Sequence, residues 1–165
     1  MASPGFDEWA TARVPSLLRF GYLVTGSREA AEDAVQTALA QALKGWDRVS
    51  GAGDPDRYVR RMIANAHVSA WRSFGRRVSP VAEVRVAAHG DDHATGVARH
   101  DAVWRVCQAL PERQRAAVVL RFYEDLDYAE IAATLDCAEA TARSHVHRAL
   151  AALRVELERQ EAHDA

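Results

Sequence analysis

Residues 58–77, YVRRMIANAHVSAWRSFGRR, carry arginines at 60, 61, 72, 76 and 77 and no acid. Guanidinium groups hold phosphate or carboxylate through a fixed fork of N–H donors. Wound as a helix, Arg61, Asn65, Ser69, Arg72 and Arg76 share one face, with Arg60, His67 and Trp71 on its flanks. An amide at Asn65 can hydrogen-bond a base edge. Rings at His67 and Trp71 can stack on unpaired bases, at about 1–3 kcal/mol per base. The combination suits single-stranded or opened DNA better than a lipid surface. The bland alternatives are an arginine-rich solvated face, a core aromatic at Trp71 and an ordinary surface amide at Asn65.

A second group lies near the other end. Thr141, Arg143, Ser144, His147 and Arg148 point outward on a helix whose inward positions are Ala142, Val146, Ala149, Leu150 and Leu153. Upstream, Asp127 followed by Glu130 reads as a capping box that starts a helix at Tyr128, with Ile131, Ala132 and Leu135 buried. Asp136, Cys137 and Ala138 form the short turn between the two. Two helices across such a turn match a DNA-binding helix-turn-helix. A helical hairpin without function would share the apolar spacing but not the basic, hydroxyl-bearing outer face. Arg143 can reach guanine O6 and N7 in a major groove, and Arg148 can hold phosphate. Cys137, His145 and His147 fit no common zinc spacing and lack a fourth ligand, so no metal or other cofactor is expected.

The elements that must position these groups read as helices throughout, so the expected fold class is all-α. Alanine is abundant, β-branched runs are short and apolar spacing is near 3.6. A first helix carries Phe6, Trp9, Ala10, Val14, Leu17, Leu18 and Val24 on one stripe and breaks at Thr25–Ser27. Ser27 N-caps a second helix reaching about Trp46, and the loop Ser50–Pro55 leads into a third over about Asp56 to Phe74. The inward face of the third is Val59, Met62, Ile63, Ala66, Ala70 and Phe74. Residues 78–100 hold Pro80, Gly90 and Gly96 and no sustained period, which marks a linker. Two small helical domains follow, over 1–77 and 101–165.

Charge is unevenly spread. The chain of 165 residues has a net charge of −2, yet residues 57–77 alone are +6. A focused basic stripe on a mildly acidic chain suits a polyanion. No run of about 18 apolar residues would span a membrane, and Met1 to Trp9 has neither the basic nor the apolar part of a secretory signal. Two cysteines, Cys107 and Cys137, are too few for a disulfide scaffold. A cytoplasmic protein is expected.

These motifs together resemble the extracytoplasmic-function sigma factors of bacterial RNA polymerase, within the sigma-70 family. SREAAEDAVQTALAQALKGW resembles their region 2.1–2.2 helix, YVRRMIANAHVSAWRSFGRR their region 2.3–2.4 helix, and ALPERQRAAVVLRFYEDLDYAEIAATLDCAEATARSHVHRALAALR their region 4. The ordered likeness spans about residues 6–155, and HVSAWR with the alanine bias resembles an actinobacterial, sigma-E-like subset. It implies a factor without chemistry of its own. Glu32, Asp33, Gln36 and Leu39 match the face that docks on the β′ clamp helices of the polymerase core, and region 4 would meet the β flap. Arg60, Arg61, Asn65, His67, Trp71, Arg72 and Arg76 would engage the minus-ten element, while the loop Ser50–Asp56 matches the one that captures a flipped base. Thr141, Arg143, Ser144, His147 and Arg148 would engage the minus-35 element. The linker would follow the RNA-exit path.

The resemblance also implies promoter DNA as ligand and a separate anti-sigma protein as controller, able to hold the factor at the membrane. Four positions depart from the family, among them Glu139, which adds a negative charge near the DNA. Asp136 replaces the usual turn glycine. Ala138 replaces the usual serine N-cap, a loss of about 1 kcal/mol. His145 stands where arginine is common. Two other classes fit the residues less well. An autonomous regulator of the LuxR type would need a dimer interface or sensor domain that the sequence does not display. A nuclease would need paired carboxylates or a phosphate loop, and neither is present.

Overall fold

The computed structural model describes residues 5–77 and 105–165, the side chains of 74–77 excepted. The expected linker over 78–100 lies outside the described residues. Seven helices are assigned bounds: α1 (Phe6–Thr25), α2 (Arg28–Lys44), α3 (Trp46–Ser50), α4 (Pro55–Arg77), α5 (Glu112–Phe122), α6 (Tyr128–Leu135) and α7 (Glu139–Asp164). A further helical turn occupies 105–109, and no strand occurs among the described residues. None of these helices is long and apolar enough to cross a membrane.

Local chemistry explains most helix ends. Gly26 closes α1 in the left-handed conformation, φ 69°, its N–H donating to the Tyr22 carbonyl. The Ser27 hydroxyl accepts from the Ala30 N–H and opens α2. Gly45 ends that helix at Lys44, two residues earlier than expected, and the chain turns directly into the short α3. The Asp54 carboxylate accepts from the Arg57 N–H, and Pro55 fills the first position of α4. Pro15 stands inside α1, which continues through it.

The first unit packs α1, α2 and α4 around Leu17, Phe20, Val24, Val35, Val59 and Ile63. Small residues let its backbones approach. A Cβ built on Gly21 would stand 3.2 Å from the Ala31 Cβ. The second unit packs α5, α6 and α7 around Leu120, Leu126, Ile131, Leu135 and Val146. α7 runs far past the expected Leu153, because residues 154–164 contain no breaker and carry the pairs Arg154–Glu158 and Glu156–Arg159.

The two units are in contact, α1 against α5 and α4 against α6. That contact rotates the buried face of α4 away from expectation. Val59, Ile63, Ala64, His67 and Val68 are buried, Met62 and Ala66 are half-buried, and Ala70 is exposed. Phe74 falls outside the described side chains. A helix covered from two sides buries two stripes, and periodicity reports only the apolar one.

Arg115 is the pivot of this contact. It is only 4% exposed. Its guanidinium donates to the carbonyls of Cys107 (2.8 Å), Gln108 (3.0 Å), Leu110 (2.8 Å) and Thr25 (2.7 Å). These lie at the end of the 105–109 turn and at the end of α1. Terminal helix carbonyls have no partner within their own helix and carry the negative end of its dipole. One cation thus satisfies two helix ends and ties the units together. Gly26 leaves the space: a Cβ there would lie 2.4 Å from Arg115 Nη1. Gly26→Ala is expected to lower stability by about 2–3 kcal/mol, from left-handed strain plus displacement of Arg115. A fall in the urea midpoint at unchanged slope checks this.

Candidate nucleic-acid interface

The expected helix-turn-helix forms as the residues dictate. The Asp127 carboxylate accepts from the Glu130 N–H (2.8 Å), and the Glu130 carboxylate accepts from the Asp127 N–H (3.0 Å). Asp136 takes the left-handed conformation at the turn, φ 53°, ψ 55°, which a short polar residue tolerates. Ala138 sits at the N-cap of α7 without a side-chain bond. Ala142, Val146 and Ala149 point inward. Leu150, expected inward, is 39% exposed.

Thr141, Arg143, Ser144, His147 and Arg148 are all exposed on one side of α7. Arg143 lies 5.0 Å from the Tyr128 ring centre, and Arg121 covers the same ring at 5.1 Å. Arg143 also reaches the Glu139 carboxylate at 3.5 Å. These contacts orient its donors while leaving half of its side chain exposed.

On α4 the expected set divides by facing. Asn65, Ser69, Arg61 and Arg72 are exposed. Arg60, Ala64, His67 and Trp71 follow the spacing i, i+4, i+7, i+11 and turn toward the second unit. Arg60 pairs with the fully buried side chain of Glu124. Trp71 stacks on His67, ring centres 5.9 Å apart, and takes the Arg113 guanidinium 5.0 Å above its face. Arg61 reaches Glu130 at 3.6 Å and Arg72 reaches Asp136 at 2.6 Å. Asn65 and Arg61 line one wall of a cleft of about 450 Å³, whose other wall is Asp127, Glu130, Ala133 and Thr134. The side chain of Arg76 lies outside the described residues.

Burial perturbs two groups at the junction of α4 with the second unit. His67 is 7% exposed, and burial, helped by the nearby Arg115 cation, lowers its pKa to about 4. Burial pushes the Glu124 carboxyl above the usual carboxylate range, although the Arg60 guanidinium bonded to it pulls the other way.

On α2, Glu32, Asp33 and Gln36 are exposed and Leu39 is half-buried. Glu32 pairs with Arg28 at 3.2 Å. Leu43, which sequence reasoning did not single out, continues this stripe at i+4 from Leu39 and is 56% exposed. Its signal was an apolar residue one turn beyond the stripe's expected end. No group of three His, Cys, Asp or Glu side chains able to hold a metal occurs among the described residues.

Two family profiles match the chain in order. One described as "Sigma-70 region 2" covers residues 9–77, and one described as "Sigma-70, region 4" covers residues 100–153. The RNA polymerase sigma-E factor of Streptomyces avermitilis is 33% identical over 93% of this chain and 85% of its own length. The ECF RNA polymerase sigma factor SigM of Mycobacterium tuberculosis is 30% identical over 90% of this chain and 74% of its own. The solved sigma factor RpoE of Bartonella quintana, in complex with the anti-sigma factor NepR, has a TM-score of 0.67 at 24% identity. That likeness covers 93% of this chain and 96% of the other, and it is one of fold.

The buried histidine makes stability depend on pH. The unfolded chain takes up a proton at His67 near pH 6.5, whereas the folded chain does so only near 4. Stability present above pH 6.5 is therefore lost as pH falls through that window, by about 3 kcal/mol at its end. Glu124, whose folded pKa is raised, contributes the opposite slope. Urea unfolding of wild type and His67→Gln between pH 7 and 4 separates the two: the variant is expected to lose the His67 slope and keep the other.

Proposed function

The chain belongs to the extracytoplasmic-function sigma factors of the sigma-70 family, and from that premise we propose how its surfaces divide the work of initiation. α2 docks on core RNA polymerase through Glu32, Asp33, Gln36 and Leu39, with Leu43 extending the apolar part of the same stripe. The docking sites are the β′ clamp helices for α2 and the β flap for the second unit. α7 enters the major groove of the minus-35 element. Arg143 supplies a forked donor pair for guanine, Thr141, Ser144 and His147 adjust the fit, and Arg148 holds phosphate.

α4 takes the minus-ten element once its strands part. Arg61 and Arg72 hold the backbone, Asn65 reads a base edge, and Trp71 offers a stacking face. The loop over 50–56 receives an extruded base. Capture of exposed bases drives opening, so no bond is made or broken by the chain itself. The protein acts in the cytoplasm, under an anti-sigma protein such as the one the Bartonella quintana factor is solved with. The observation that supports this most is the order of the two family matches, each on a unit that presents its own exposed basic face.

Run-off transcription from genomic promoter fragments, with bacterial core polymerase and with or without this chain, tests the reading. Chain-dependent transcripts sharing upstream elements are expected. A chain that binds no core but footprints DNA alone would replace this reading with an autonomous regulator. Within the same assay, Asn65→Ala is expected to lower minus-ten-dependent initiation about ten-fold, the value of one base contact, while core affinity stays unchanged. Equal loss of both would remove Asn65 from the reading face.

A further inference from the structure

The first turns of α1 hold both ends of the segment that leads from α3 into α4. Phe6, Trp9 and Arg13 follow the spacing i, i+3, i+7 and share a face. The Trp9 indole N–H donates to Asp56 Oδ1 at 2.9 Å, and Arg13 reaches Asp56 Oδ2 at 3.3 Å. Asp56 is the second residue of α4, so α1 engages both oxygens of a carboxylate at the head of that helix. At the other end, the Trp9 ring centre lies 5.1 Å from that of Trp46, the first residue of α3. Phe6 meets Trp46 edge-on at 5.5 Å. Trp9 is 6% exposed, and Val49 inside α3 is fully buried. Residues 51–54 are exposed between these fixed points.

From this geometry we infer that Trp9 and Asp56 are positioning residues for base capture. α1 sets the distance and angle between the two ends of the loop over 50–56, so the loop meets an extruded base already shaped. This rests on the reading of that loop as the segment that receives the base. Trp9 is too enclosed to stack on a base, and its effect passes through Asp56 and Trp46. A short loop with both ends fixed has little conformational freedom left to lose on binding. With the indole bond removed, the head of α4 can shift against α3, and part of the free energy of capture goes into ordering the loop. The loss falls on the captured base. Bases met along the exposed face of α4 by Asn65 do not depend on the loop's shape.

Holoenzyme assembled from the full chain and bacterial core polymerase is titrated with labelled minus-ten single strands, taken from a promoter found by run-off transcription. One base is omitted at a time, and the ratio of the two dissociation constants is the abasic penalty at that position. Ala52→Glu, a substitution at an exposed loop residue, marks the captured position as the one whose penalty it removes. Trp9→Phe keeps a ring and removes the donor. Asp56→Ala removes the acceptor without touching the core, and serves should Trp9→Phe fail to fold.

In wild type the penalty at the captured position is expected at about ten-fold. Each variant is expected to cut it to about three-fold or less and to leave the penalties elsewhere unchanged. The double variant should add nothing further, because both changes remove one bond. Asp56→Asn keeps an oxygen for the indole and should restore most of the penalty. A full penalty in Trp9→Phe and Asp56→Ala would overturn the inference and leave the loop reading standing. An equal fall at every position would show a general loosening of the first unit and would overturn it as well. If Ala52→Glu removes the penalty at no position, the loop holds no base, and the reading and the inference fall together.

Discussion

A guanidinium held among four carbonyl oxygens is the constraint on which the arrangement depends. The partners of Arg115 include the loose ends of two helices. A buried cation is tolerable only when its donors are filled, and a helix end is buried only when its carbonyls are met. Each requirement meets the other here. Because Thr25 belongs to the first unit and Cys107, Gln108 and Leu110 to the second, the solution is also what relates the units. Once α1 and α5 are tied, α4 lies along the second unit, and His67 is enclosed next to the same cation. Its low pKa is a by-product of that enclosure rather than a separate device.

The same geometry gives the two basic faces different characters. α7 presents its donors on a helix whose inward side is small and apolar, and on the outer side Arg143 meets Glu139 and the Tyr128 ring while half of its side chain stays exposed. α4 has packing partners on two sides, and its arginines spread over what remains. Arg60 is drawn into an ion pair with a buried acid, whereas Asn65 and Ser69 stay in solvent. A single helix therefore carries groups in very different dielectric surroundings, and their strengths toward an anion differ accordingly.

Features governed by nearest neighbours could be read directly from the residues. The capping box of Asp127 and Glu130, the Ser27 cap, the glycine stop at Gly26 and the turn at Asp136 each depend on contacts within a few positions. The outward set on α7 followed from period alone, since that helix has one buried face. Contacts of long sequence separation left no such trace. Nothing near Glu124 announces Arg60, 64 residues earlier, and nothing near Gly26 announces Arg115. The one hint for Arg115 is its place at the head of an unbroken buried run through Leu120, where an arginine is out of character. Leu43 was passed over because the expected docking stripe was drawn from polar residues and stopped at Leu39. The length of α7 was underestimated because apolar period ends near Leu153, although helix propensity does not.

The fit between Gly26 and Arg115 has a consequence for how such a chain can drift over generations. With Arg115 present, position 26 admits no side chain, for reasons of both backbone and space. If Arg115 were first replaced by a smaller residue, the spatial bar at 26 would lift and only the left-handed backbone would remain, which asparagine can satisfy. The two sites therefore change in one order only, the arginine before the glycine. In a lineage where both differ, the pair should differ together, and the junction between the units should have been rebuilt around another way of meeting the same four carbonyls.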